Sequence, residues 1–195
     1  PVKRAMRRSE ALLDSAERWA AIAWWRTGLP YPAAELSKAW KEAMFNTFHD
    51  TLAGSFIESA HAGAMDGFGF ANHVASTVIF KSQNALLPST PPQLGSVPFY
   101  VFNPHPAPMR MPVSRHIMFD YRPLPDIPDF GLFDEQGNAV PCQVGGGTYQ
   151  QSSNSWQPHI HFMAEVPPLS VRRYEVRVGA KPARSANPFN VSESA

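Results

Sequence analysis

A chain of 195 residues with 44% hydrophobic and 12% aromatic residues can bury a core, as one domain or as two small ones. A formal net charge of +1 and a pI near 8.4 exclude the strongly basic surface that a nucleic-acid or anionic-membrane partner requires. The lone cysteine, Cys142, excludes an intrachain disulfide, and no apolar run approaches the roughly 18 residues that span a bilayer.

The opening residues, Pro1-Val2-Lys3-Arg4, carry neither Met nor a signal-peptide pattern. Such a start is expected of an excised fragment or a processed product. Lys3, Arg4, Arg7 and Arg8 sit at helical spacing and read as a solvated helix start. Absence of disulfide chemistry fits a reducing compartment or simply a domain that needs no stapling, and a cytoplasmic location is the expectation. The sequon Asn190-Val191-Ser192 lies in a polar tail and carries no weight.

Proline usage divides the chain. Of its 20 prolines, only Pro1, Pro30 and Pro32 precede residue 88. Proline breaks helix interiors and collects at turns and strand ends. The first part therefore reads as helical and the second as β with many loops. Expected boundaries are a three-helix bundle over 1–83, a linker over 84–98, part of an antiparallel β-sandwich over 99–179, and a polar tail over 180–195. The fold class is α+β.

The first helix is expected over about 3–27, with an apolar stripe through Leu12 or Leu13, Ala16, Trp19 or Ala20, and Ala23. Gly28 and Pro30 follow in the order that ends helices. A second is expected from Ala33 to Phe48, with Leu36, Trp40, Ala43 or Met44, and Thr47 on one side. If it runs that far, His49 points away from the stripe, out of the bundle. A third is expected from Phe56 to Phe80, opened by the capping box Ser55-Phe56-Ile57-Glu58. Its inward stripe is Ile57, Ala60, Ala64, Phe68, Ala71, Ala75 and Val78. Gly63, Gly67 and Gly69 cost that helix about 1 kcal/mol each relative to Ala and mark either a close helix approach or a kink. Trp19, Trp24, Trp25 and Trp40 are read as core or interdomain contacts.

From Val97 the period changes to two. Strands are expected over 99–102 and 112–119, and a hairpin pairs 131–134 with 139–143. Two more alternating strands hold Ile160 to Val166 and Tyr174 to Val178. Between them and the hairpin the stretch from Gly145 to Asn154 reads as a flexible loop.

The sequence offers few clusters with chemistry. His159 and His161 face one side of a strand, but without a nearby carboxylate or Cys partner they read as polar residues on a wet face. His61, His73, His105 and His116 are isolated in sequence. Cys142 reads as an inert strand thiol, and the triple glycine at 145–147 lacks the Lys-Ser/Thr of a phosphate loop. His49-Asp50 remains, at a helix-to-helix break. A His beside a carboxylate can ligate a metal or hold a polar substrate, although such a pair near a helix end is commonly a structural hydrogen bonder.

Phe48-His49-Asp50-Thr51-Leu52-Ala53-Gly54-Ser55 resembles the Phe-His-Asp-x-Leu/Ile-x-Gly-Ser/Thr pattern in the middle domain of glycoside hydrolase family 38 α-mannosidases. Glu10-Ala11-Leu12-Leu13 with Ala16-Glu17-Arg18-Trp19 looks like that family's first bundle helix, and Glu35-Leu36 with Ala39-Trp40 like its second. Val101-Phe102-Asn103-Pro104, Phe133 to Pro141 with Gln143, and Ala164 to Leu169 look like the start of its C-terminal β region. The resemblance covers about residues 3–178, with Ser170 and Ala53 as minor departures.

The resemblance implies that His49 is one ligand of a catalytic divalent ion, usually zinc, and that Asp50 contacts hydroxyls of bound mannose. It implies a retaining α-mannosidase as the parent. The nucleophile, the acid/base and the other metal ligands would lie in an N-terminal α/β domain that this chain does not include, so no catalytic residue is expected here. Partners implied are an α-mannoside and that domain of the same protein, and a homo-oligomer stays open. Two other readings stay open as well: a family member acting on another small α-mannoside such as mannosyl-glycerate, and a non-catalytic sugar-binding or scaffold module.

Overall fold

A computed structural model describes residues 1–88, 95–118, 129–150, 155–181 and 183, without the side chains of 146–150, 155 and 156. The chain divides into two compact units, Pro1–Pro88 and Ser89–Ala195, the first helical and the second built from antiparallel strands. It is thus an α+β chain.

The helical unit holds three long helices and one short one: α1 (Val2–Thr27), α2 (Ala33–Phe45), α3 (His49–Ala53) and α4 (Glu58–Leu86). Gly28 ends α1 in the left-handed conformation, its amide donating to the Trp24 carbonyl. Leu13, Ala16 and Ala20 of α1 meet Leu36, Ala39 and Ala43 of α2 and Ala71, Ala75 and Val78 of α4 in one core. Mostly alanines face one another here, so the helix axes can approach closely. Ser9, fully buried, donates to Ala5 and to the Asn72 side chain, joining α1 to α4.

Several helix expectations are corrected. The second helix stops at Phe45, not Phe48: the Asn46 side chain turns back to the Glu42 carbonyl, and the Thr47 hydroxyl to that of Met44. The third long helix opens at Glu58 without a side-chain cap, and the Ser55 capping box does not form. The Ser55 amide is already bonded to the Asp50 carbonyl, and Ile57 is extended. Ile57 and Ala60 are consequently exposed, and the inward stripe begins at Ala64. Trp19 is buried and the Trp40 indole donates to Glu17, but Trp24 and Trp25 are exposed.

The β unit is a two-sheet sandwich. One sheet runs β1 (Ser96–Asn103), β7 (Ser170–Val178), β3 (Phe130–Asp134), β4 (Ala139–Val140). The other runs β2 (Met109–His116), β6 (Ser155–Val166), β5 (Cys142–Gln150). Ile160, Phe162, Ala164 and Val166 of β6 face Leu132, Tyr174 and Val176 across the interior. The Phe162 ring meets those of Phe99 and Tyr174, with centroids 5.8 and 4.8 Å apart.

Two β expectations change. The hairpin partner of β3 ends at Val140. Pro141 interrupts the ladder, and Cys142 begins a strand of the other sheet, opposite Phe162. The stretch expected to be a loop from Gly145 is largely strand: β5 continues to Gln150, paired with Ser155, while 151–154 lie outside the described residues. Gly146 and Gly147 together oppose Pro158, a two-against-one bulge where the partner has no amide to offer. The expected strand end at 119 and most of the tail beyond 180 also lie outside the described residues.

Candidate functional site

The site is built by two chain breaks. Buried Asn46 ends α2, and Phe48, in an extended conformation, starts α3. Gly54, left-handed at φ 78°, ends α3 after five residues. Its amide bonds to Thr51 and that of Ser55 to Asp50, the paired closure of a Schellman turn. Gly54 is therefore favoured by the backbone itself, whose left-handed turn other residues rarely adopt.

This one-turn helix holds His49 and Asp50 outward. Their side chains are 78% and 66% exposed, and His49 Nε2 lies 3.3 Å from Asp50 Oδ1. The Phe48 ring lies against the imidazole, centroids 4.2 Å apart. α3 therefore turns His49 outward, not a continuation of the α2 period. Around the pair the chain exposes apolar surface: Phe45 at 79%, Phe48 at 57% and Ile57 at 73%.

A zinc ion takes four donors in a structural site, or three and a water in a catalytic one. Here one imidazole and one carboxylate are presented, and among the described residues no three His, Cys, Asp or Glu converge. The pair offers one imidazole nitrogen and one carboxylate, donor types that suit zinc but fewer than a zinc site takes.

The other histidines are distributed differently from their sequence spacing. His61 stacks on Phe56. His116, isolated in sequence, lies opposite His159 in the β2–β6 ladder, and their Nε2 atoms meet. Only the strand register shows that pairing. Partial burial and the neighbouring His116 and His161 hold the His159 imidazole below its usual titration range. Burial pushes the Cys142 thiol up, against a smaller opposing backbone hydrogen bond with Leu132. Among the described residues no helix is long and apolar enough to cross a membrane.

Residues 1–78 match the family model described as alpha mannosidase middle domain. No curated protein matches the chain. Among the solved structures that resemble it, two illustrate the match. One is a glycosyl hydrolase family 38 protein from Enterococcus faecalis, 20% identical, with a TM-score of 0.72 over 98% of this chain and 26% of that one. The other is an alpha-mannosidase from Enterococcus faecalis V583, 21% identical, with a TM-score of 0.68 over 98% of this chain and 25% of that one. The chain thus spans about a quarter of the length of either structure. Residues 1–78 thus match the alpha mannosidase middle-domain model, and the chain has the fold of the matching quarter of these two structures.

Proposed function

We propose that this chain is part of a retaining, metal-dependent α-mannosidase that hydrolyses terminal α-mannosides. His49 is one ligand of a divalent ion, with zinc the expected metal, and Asp50 is a substrate contact. The observation that carries this reading is the outward-facing His49-Asp50 pair within a matched alpha mannosidase middle domain.

The chemistry follows from the donor types. A neutral imidazole is a zinc ligand, and the ion, when bound, would polarise sugar hydroxyls as a Lewis acid. The Asp50 carboxylate can accept two hydroxyl hydrogen bonds and so orient a mannose ring beside His49. The α3 turn fixes both side chains on one backbone segment, so metal and sugar are positioned together. Retaining hydrolysis needs two carboxyls about 5–5.5 Å apart. Asp50 alone does not meet that requirement, so nucleophile and acid/base are assigned to the parent's remaining sequence and the chain by itself to no turnover. The exposed Phe45, Phe48 and Ile57 support a covering segment there: apolar surface beside a polar pair suits a protein contact.

The test uses the complete gene product on an aryl α-mannoside, with and without chelator, beside His49→Ala. Chelator-sensitive activity, lost in a folded His49→Ala protein, is expected. Activity indifferent to both would make His49 structural and end the assignment.

A further inference from the structure

The outer face of the three-stranded sheet carries a feature that the proposed mannosidase site does not use. Strand alternation puts His159, His161, Met163 and Glu165 of β6 on that face, opposite the buried Ile160, Phe162, Ala164 and Val166. The ladder brings His116 of β2 directly across from His159, and Gly145 of β5 across from it on the other side. The Nε2 atoms of His116 and His159 face each other. The His161 ring lies parallel to that of His159, within 6° and 6.1 Å between centroids. It occupies the space over Gly145, where an added Cβ would stand 3.0 Å from its Nε2.

We propose that His116 and His159 form a cross-strand site for a divalent transition-metal cation of the zinc and copper class, bound through the two Nε2 atoms. The two Nε2 atoms lie in contact across the strands, so the imidazoles part to admit an ion between them. A pair of imidazole nitrogens is the donor set a borderline-soft cation selects over carboxylate-preferring magnesium or calcium. No third His, Cys, Asp or Glu joins them among the described residues, so water completes the coordination. The ion pair on this face, Arg110 with Glu165 at 3.2 Å, lies six residues along β2 or about 20 Å away. Occupancy would tie β2 to β6 beside the point where the chain leaves the sheet at Ile117, whose amide bonds to Pro158.

This site is separate from His49, and its test does not depend on the mannosidase reading. The full-length protein, freed of metal, is titrated with zinc by calorimetry beside His116→Gln and His159→Gln. One equivalent should weaken at least about tenfold in each variant, the least that even an outer-shell change commonly costs. Any equivalent lost in His49→Ala should be a different one. Two variants that titrate like the wild type would overturn the proposal. Should either variant misfold, the wild type still decides. Zinc should protect His116 and His159 from carbethoxylation, read by peptide mass mapping, and equal modification with and without zinc would refute the site.

Discussion

Three glycines in α4 give the packing around the site a sharp test. Gly63 and Gly69 have open space where a Cβ would stand, whereas a Cβ on Gly67 would overlap the Asn46 side-chain amide. Asn46 is buried, and its amide donates to the Glu42 carbonyl at 2.9 Å. Replacing glycine by alanine inside a helix gains about 1 kcal/mol of propensity. Gly63→Ala and Gly69→Ala should each realise most of that gain. Gly67→Ala gains the same amount but displaces a buried donor from its acceptor, at a cost of about 1–3 kcal/mol. The net is a loss of between about 0 and 2 kcal/mol, so Gly67→Ala should fall at least about 1 kcal/mol below the other two. For a unit of this size 1 kcal/mol corresponds to about 4–8 °C in Tm.

Urea and thermal unfolding followed at 222 nm, which reports the helical unit, would measure all three variants. Asn46→Ala should make room for the methyl group that Gly67→Ala adds, so the double variant should show a favourable coupling of about 0.5 kcal/mol or more. Equal stabilisation by all three alanines, or no coupling, would refute the close approach of α4 to the end of α2. Because Asn46 sets where α2 ends and α3 begins, Gly67→Ala should also lower any His49-dependent activity of the parent, while Gly63→Ala leaves it unchanged.

Asn103 is fully buried; its amide faces the carbonyls of Ala107, Val166 and Pro167, and its side-chain oxygen accepts from the His105 amide. Asn103→Ala should cost about 2–3 kcal/mol, read as a lower unfolding midpoint of the β unit. His159 titrates below its usual range in the folded state, so the unfolded chain binds more protons as pH falls. Its contribution is complete above about pH 6.5 and is lost as pH drops from there through the lower folded value. Hydrogen exchange of β2 and β6 peptides, corrected for the intrinsic pH dependence of exchange, should therefore show falling protection between about pH 7.5 and 5.5, and less so in His159→Gln. Phe45→Ser and Phe48→Ser remove side chains that the described residues leave uncovered, so the isolated chain should keep its stability within about 0.5 kcal/mol. A larger loss, measured by urea unfolding, would mean that this surface is covered within the chain.

The elements with strong periodicity could be read from the sequence because burial repeats at the helical or strand period. Leu13, Ala16 and Ala23 of α1, and Ala64 through Val78 of α4, are buried as their spacing requires. Ile160 through Val166 alternate as a half-buried strand should. The misreadings fall where a local bond competes with a pattern. The Ser55-to-Glu58 pattern has the spacing of a cap, but Ser55 closes the preceding turn instead. The glycine-rich run after Cys142 has the composition of a loop, yet ladder pairing holds it as a bulged strand. Composition weighs only local freedom, whereas the ladder adds bonds to a distant segment.

The candidate site divides in the same way. The residue types of His49 and Asp50, and the glycine that turns the chain after them, are written consecutively in the sequence. Their outward display depends on the halt of α2 at Phe45, where Asn46 and Thr47 turn back on Glu42 and Met44, and on the long-range seat that Gly67 leaves open for the Asn46 side chain. Continued helix would have carried Phe48 and His49 round the α2 cylinder at about 100° per residue. The break instead sets them on a separate turn, with Phe48 against the imidazole. The His116–His159 pair is the opposite case: 43 residues separate the two, and only the antiparallel register makes them neighbours. A local motif announces its chemistry through residue order, while a cross-strand pair acquires its chemistry only when the sheet closes.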